Sequence, residues 1–371
     1  MNVSAQNATA VAPQESAVPL FTPLTIRGVT LPHRIVVSPM CQYSSVDGFS
    51  TDWHLVHLGS RAVGGAAVVT VEATAVTVDG RITPACLGIW KDEHVENLQR
   101  IAKFIEARGS VPSLQLSHAG RKASTAPPKA GMNPFLSRAE GGWQHVGPSP
   151  IPFRPEDGVP HELTVAEING VVAAHAAAAK RAVTAGFKIL EIHAAHGYLL
   201  NEFMSPLSNQ RSDQYGGSFE NRIRITIETI RAIRSVIPPE MPLFMKISAV
   251  DWADGGWTLE DSVKLAQSAK EAGVDLITCS SGNVVVQQKV PFAPGFQVPF
   301  AEQVRREAGI LTGAVGLITQ ATQANEIIGT EKADIVVLAR EFLRDPYFPL
   351  HAAKALGVKI PFPGQYTPAY I

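Results

Sequence analysis

Short apolar runs and longer stretches of helical period take turns along the chain. The runs at 34–38, 66–72, 111–117, 187–192, 242–247, 274–278, 310–314 and 333–338 are continuous, not alternating. That is how parallel strands covered on both faces read. Between them the spacing predicts helices over 93–108, 164–185, 221–237, 258–272, 300–308, 320–329 and 341–356. Thr164 with Glu167 makes a capping box at one start, and Gly273 ends another helix, as helix termini require. Eight strands, each followed by helical sequence, predict an α/β fold of the (β/α)8 barrel type. An open doubly wound sheet is the alternative, but no GxGxxG follows the first strand.

One stretch breaks the rhythm. Residues 119–163 are rich in Gly and Pro and nearly aperiodic. A loop this long in a compact domain is usually functional. After the third strand it is expected to lie over the barrel's C-terminal mouth as a lid. The chain then divides into a loose N-terminal tail, 1–19, and one barrel domain, 20–371, closed by a C-terminal tail, 357–371.

Charge and cysteine usage narrow the classes. The 371 residues carry 32 Lys and Arg against 33 Asp and Glu, a net charge of −1, which argues against nucleic acid as a partner. No apolar run reaches the roughly 18–20 residues that cross a bilayer, and the N-terminal stretch does not read as a secretory signal. Cys41, Cys86 and Cys279 form no CxxC pair, so neither a thiolate zinc site nor an iron–sulfur cluster is written. Their odd number fits a reducing, cytoplasmic setting.

In a barrel the site lies at the C-terminal ends of the strands. Those ends read Ser38-Pro-Met-Cys41, Glu72-Ala73, Gln115 with His118, His193-Ala-Ala-His196, Lys246, Ser280-Ser-Gly282, Gly316 and Arg340. His193 and His196, with Tyr198 beyond, suit hydrogen bonding to a substrate oxygen with a phenol as acid. A metal site and a structural role are the alternatives. Glu191 is a third ligand candidate in sequence but is expected to face away from His193. Gly316 and Arg340 follow the strands where barrels bind phosphate, although Arg340 could instead pair with Glu341 or Asp345. Lys246 sits inside an apolar run and needs an anionic partner or ligand. Cys41 reads as a nucleophile or, more simply, a packing residue.

Taken together, Ser38-Pro-Met-Cys-Gln-Tyr43, Asp52-Trp-His54, Glu72-Ala-Thr-Ala75, Gly80-Arg-Ile-Thr-Pro84, His118-Ala-Gly-Arg-Lys122, His193-Ala-Ala-His-Gly-Tyr198, Arg211-Ser-Asp-Gln-Tyr-Gly-Gly-Ser218 and Asn221-Arg222 resemble the old yellow enzymes. Cys41 and the short His118–Lys122 segment are similar to the thermophilic-like class of ene-reductases. The resemblance runs in order from about Leu20 to about Tyr366. It implies a barrel holding FMN non-covalently, reduced by NADPH or NADH, that passes hydride to the β-carbon of an α,β-unsaturated carbonyl. By the same resemblance Ser38, Pro39, Met40, Cys41, Ala73, Gln115, His193 and Lys246 contact the flavin, and Gly316, Ala339 and Arg340 hold its phosphate. His193 and His196 bind the carbonyl oxygen, Tyr198 protonates the α-carbon, and Tyr43, Cys41, Ile82 and Lys122 line the substrate pocket. No metal is implied, and a homodimer or homotetramer is the family expectation.

Three positions depart from the pattern. Lys246 stands where Arg is common, and loses the bidentate fork. Ala339 stands where Gly is frequent. Gln365-Tyr366 is followed by Thr367-Pro368 and not by an Arg that could reach a neighbouring subunit, which leaves Tyr366 or Tyr370 as the tail's candidates for crossing an interface.

Overall fold

The structure, a computed structural model, describes residues 18–128 and 134–370. Eight parallel strands close into a barrel: β1 Ile35–Val37, β2 Val68–Ala75, β3 Val111–Ser117, β4 Ile189–Ala194, β5 Leu243–Ser248, β6 Leu276–Ser280, β7 Leu311–Ala314 and β8 Ile335–Leu338. Each strand pairs with the next in sequence, and β8 returns to β1. The predicted (β/α)8 barrel is the observed fold.

The helices outside are α1 Asp52–Val63, α2 His94–Glu106, α3 Val165–Thr184, α4 Leu199–Met204, α5 Phe219–Arg234, α6 Leu259–Ala272, α7 Val298–Ala308, α8 Ala321–Gly329, α9 Arg340–Arg344 and α10 Phe348–Ala355. Helices α1 and α4 were not among those predicted. The first carries His54, His57 and Ser60 where a helix usually shows strong formers, and the second is too short for periodicity. The predicted helix over 341–356 is two helices. Asp345, ahead of Pro346, is extended (φ −131°, ψ 91°), as the residue before proline prefers.

The two ends of the barrel differ in chemistry. At the bottom Val36, Val68, Ile189, Phe244, Leu276, Ile335 and Val337 pack on Ile26 and Leu31, which come from a hairpin, Leu24–Ile26 with Val29–Leu31. This plug is aliphatic and closed. At the top, polar side chains replace the aliphatic layer.

The described residues of 119–163 include the 3-10 turns Gly120–Lys122 and Arg138–Glu140 and a small parallel ladder of Val146–Gly147 with His161–Glu162. Pro19, assigned to the tail by sequence, opens a 3-10 turn that buries Leu20 completely. The rest of the predicted tail, 1–17, lies outside the described residues. At the other end Tyr366 turns back on its own chain, its hydroxyl 3.2 Å from that of Tyr347. Among the described residues no helix is long and apolar enough to cross a membrane.

Helix α1 ends against the break between α9 and α10. A Cβ on Gly64 would lie 2.0 Å from the Pro346 carbonyl oxygen, a backbone atom. Gly64→Ala is therefore expected to destabilise the fold by about 1–3 kcal/mol, read as a lower midpoint in thermal or urea unfolding. An unchanged midpoint would show that 345–347 yields freely.

Candidate active site

A bulge in β2 shapes the first loop of the site. The register with β3 shifts between Val71 and Ala73, so Ala73 faces Gln115 and Glu72 is the extra residue. Bulges re-aim side chains in this way. The freed Glu72 carboxylate is buried, lies 3.0 Å from His54 Nε2 and accepts from the Gln42 amide at 2.9 Å. His54 Nδ1 accepts from the Thr51 amide at 3.0 Å, which leaves its proton on Nε2, toward Glu72. The pair thus pins the 38–43 loop to α1.

Inside the barrel mouth is a charge cluster. Lys246 Nζ donates to Ser38 Oγ at 3.0 Å and stands 3.8 Å from Glu191 Oε1, both side chains being buried. Gln115 Nε2 donates to Glu191 Oε1 at 2.7 Å, and Thr278 Oγ1 donates to Oε2 at 3.2 Å. Burial lowers the Lys246 pKa, and Glu191 opposes that shift. Glu191 does not face away from His193, as the sequence reading had it. A strand repeats every two residues, so 191 and 193 share the inner face, and the carboxylate is committed to Lys246.

The histidines stand above this cluster. His193 pairs in register with Lys246, and its Nδ1 accepts from the Ala195 amide at 3.3 Å, so its free N–H is Nε2. Its ring meets those of His196 and Tyr198 edge-on, at centroid distances of 5.3 and 4.9 Å. His196 is left-handed (φ +61°), takes Ser248 Oγ on its amide at 2.8 Å, and sets Nε2 2.7 Å from Ser280 Oγ. Burial, then the charges of Lys246 and Lys122, lowers the His196 pKa to about 3. The same burial, reinforced by His196 and the lysines, takes His193 well below its ordinary value. Both rings are neutral at pH 7.

These residues wall a cavity of about 310 Å³. Of the predicted positions, Ser38, Pro39, Gln115, His193, His196, Lys246, Gly316, Ala339 and Arg340 line it. Cys41, Tyr43, Ile82 and Tyr198 pack beside it with Cys86, Ala119, Ala123 and Trp143, joined to the cavity through the His193–Tyr198 contact. Burial and the neighbouring Cys41, Tyr43 and Cys86 raise the Tyr198 pKa well above 10, so the phenol keeps its proton. Burial, then Glu72, raises Cys41 too; its thiol is no thiolate nucleophile. Ala73 is buried on β2, Met40 packs on the main core, and Lys122 sends its Nζ to backbone carbonyls.

At the far end Gly316 (φ +109°) could not carry a side chain without strain, and its Cβ would meet Gln297 Nε2 at 3.1 Å. Arg340 is exposed. The carboxylates that might have claimed it are taken: Glu341 by Arg344 at 2.5 Å and Asp345 by His351 at 2.7 Å. Sequence reasoning missed the hub role of Glu191, the Gln297 side chain that accepts from Ser281 Oγ at 2.6 Å, and the loop with Val290, Phe292 and Phe296 that walls one side. Phe292 is 70% exposed; a Pro-Phe-Ala-Pro-Gly-Phe run was the signal for it.

The cavity therefore offers a buried ammonium and amide donors at its floor, neutral imidazoles above, and at its rim a tight glycine turn and a guanidinium without an ion pair among the described residues. A flat polar ring with a phosphate-ended chain fits that order of groups. Such a site on a (β/α)8 barrel defines a flavin oxidoreductase. The chain belongs to the NADH:flavin oxidoreductase / NADH oxidase family, whose profile matches residues 19–358. A protein named NADPH dehydrogenase from Geobacillus sp. (strain WCH70) is 50% identical over 349 residues, 94% of this chain and 97% of that one. The structure of morphinone reductase in complex with tetrahydroNAD is similar with a TM-score of 0.75 and 26% identity, over 93% of this chain and 92% of that one. A 2-naphthoyl-CoA reductase gives a TM-score of 0.81 at 25% identity; 92% of this chain matches 52% of that longer one. The protein is an FMN-dependent, NAD(P)H-linked oxidoreductase of the old yellow enzyme type, as the motifs implied.

Burial keeps other histidines neutral as well, lowering His33 and His175 to about 4 and His57 to about 3. Each is protonated in the unfolded chain below its ordinary 6.5, so the unfolded state binds more protons and stability is lost as pH falls from 6.5 toward 4. His175→Gln is expected to reduce the pH slope of the urea-unfolding free energy by about one proton across that window. An identical slope would mean that His175 titrates normally.

Proposed function

We propose that the protein is an ene-reductase that uses NADPH to reduce the carbon–carbon double bond of enones, enals and maleimides. The observation that carries this reading is the placement of two neutral imidazoles and a protonated phenol beside one end of the cavity, directly above a buried ammonium. FMN, when bound, would supply hydride transfer from the nicotinamide to the alkene β-carbon.

Ser38, Pro39, Met40, Cys41, Ala73, Gln115, His193 and Lys246 hold the flavin ring, and Gly316, Ala339 and Arg340 hold its phosphate. Lys246, already in place and shielded from water, favours negative charge at the cavity floor by preorganised electrostatics. His193 Nε2–H and the His196 ring donate to the substrate carbonyl oxygen, the latter exchanging Ser280 for it. Because both rings are neutral, they stabilise enolate charge through hydrogen bonds that strengthen as it develops. Tyr198 holds its proton and gives it to the α-carbon. Cys41, Tyr43 and Ile82 shape the pocket wall, and Lys122 borders it. The setting we propose is a homodimer or homotetramer in the cytoplasm, where the three cysteines stay thiols.

The first test is a visible absorption spectrum of the purified protein, before and after denaturation. A flavin band released on unfolding is expected; a colourless protein that takes up no FMN overturns the reading. Tyr198→Phe is expected to slow cyclohexenone reduction by about 10²-fold or more, with flavin reduction by NADPH nearly unchanged. His193→Ala is expected to lower the alkene half-reaction by about 10²-fold and to weaken phenol binding. Anaerobic stopped-flow kinetics separates the two half-reactions, and wild-type alkene rates in both variants would remove these roles.

A further inference from the structure

Two left-handed turns meet at the mouth of the cavity. His196 (φ +61°) follows β4 and Asn283 (φ +73°) follows β6, and neither is a glycine. Such residues persist only where their surroundings over-determine them. The turns abut closely: a Cβ on Gly197 would lie 2.1 Å from the Asn283 carbonyl oxygen.

Lys122 reaches both. Its Nζ donates to the carbonyl of His196 at 2.8 Å and to that of Asn283 at 3.1 Å. The same atom also lies over the rings of Phe153 and Tyr198, 4.4 and 5.3 Å from their centroids. Lys122 is not among the residues that wall the cavity. Its own backbone is anchored through the 3-10 turn Gly120–Lys122: the Arg121 amide donates to buried Glu202 Oε1 at 2.8 Å, and the Arg121 guanidinium donates to the carbonyls of Ile151 and Val284.

We propose that Lys122 is a positioning residue whose single Nζ clamps the His196 and Asn283 carbonyls and so fixes the His196 imidazole at the substrate end of the cavity. Holding the 196–197 peptide by its oxygen opposes the flip that would return His196 to an ordinary backbone region and carry its ring away from Ser280. The clamp ties three loops, those after β3, β4 and β6, at one point. The proposal rests on the reading of His196 as a carbonyl-binding residue.

The test uses FMN-loaded wild type, Lys122→Met and Lys122→Arg, each with and without His196→Ala. Each is titrated with a phenol, whose oxygen imitates an enolate, and binding is read from the flavin's visible spectrum. Lys122→Met is expected to weaken binding about tenfold and to raise KM for an enone more than it lowers kcat. Lys122→Arg, which still donates to two carbonyls, is expected to restore most of the affinity. In the His196→Ala background Lys122→Met is expected to add little, because the group it positions is gone. Asn283→Gly, which frees that turn of strain, is expected to recover part of the affinity lost in Lys122→Met. Should Lys122→Met fail to hold flavin, Lys122→Gln, uncharged and one atom too short to reach both carbonyls, carries the same comparison. Wild-type binding by Lys122→Met overturns the clamp. So does a loss of the same size in the His196→Ala background, which would mean that Lys122 touches the ligand directly. Wild-type binding by His196→Ala alone overturns the reading of His196 itself, a result separate from the other two.

Discussion

The arrangement at the barrel mouth depends on one buried ion pair. Lys246 and Glu191 project from neighbouring strands into a space that barrels usually fill with branched aliphatics, and each has left water to do so. Charges this deep are tolerable only when every lone pair and proton finds a partner. Gln115 and Thr278 serve the carboxylate and Ser38 serves the ammonium. Those three partners come from three other strands or their ends, so the pair fixes the relative heights of β1, β3, β4, β5 and β6. Removing either charge would strand the other at a cost of about 3–5 kcal/mol. Replacing both with aliphatics would cost the fold far less, which argues that the pair is kept for what lies above it.

What lies above it is a division of electrostatic labour. The two imidazoles are neutral because they are buried and because Lys246 and Lys122 are near. A neutral donor binds a ground-state carbonyl modestly and a developing enolate more strongly. A protonated imidazole would bind both tightly and gain less on the way. The fixed positive charge is placed lower, at the floor, where the cofactor ring lies in the proposed reading. In the proposed reading burial of Tyr198 completes the set, because it keeps the phenol's proton in place for transfer.

The barrel was legible because buried parallel strands appear as unbroken apolar runs, and all eight were found. Their frames were less so. An unbroken run carries no period-two signal, and β4 was placed two residues early, at 187–192 instead of Ile189–Ala194. That set His193 beyond the strand, and Glu191 was given the wrong face. The bulge at Glu72 was hidden for the same reason, and with it the link from Glu72 to His54 and the Gln42 amide. The motif letters were visible; their joint task was not. Lys122 was harder still. Its partners are carbonyl oxygens of two residues far along the chain, and no residue type announces a left-handed carbonyl. Helix α1 was missed because the residue that answers its Thr51 cap is a histidine: His54 accepts from the Thr51 amide where a glutamate is the usual signal.

Ala339, where the resemblance to the old yellow enzymes would place Gly, shows how unequal the two positions proposed to hold phosphate are. Gly316 is at φ +109° with Gln297 against the place a Cβ would take. Strain and crowding both exclude a side chain there. Ala339 is at φ −109°, outside the left-handed region that favours glycine. The demand for glycine therefore falls on the β7 loop. What the β8 loop must supply is charge. Arg344 and His351 engage Glu341 and Asp345, and these two contacts occupy the carboxylates that follow Arg340 in the chain. With both acids paired elsewhere, neither competes for that arginine, and that is a reason for the pairs to exist beyond the little that exposed ion pairs add to stability.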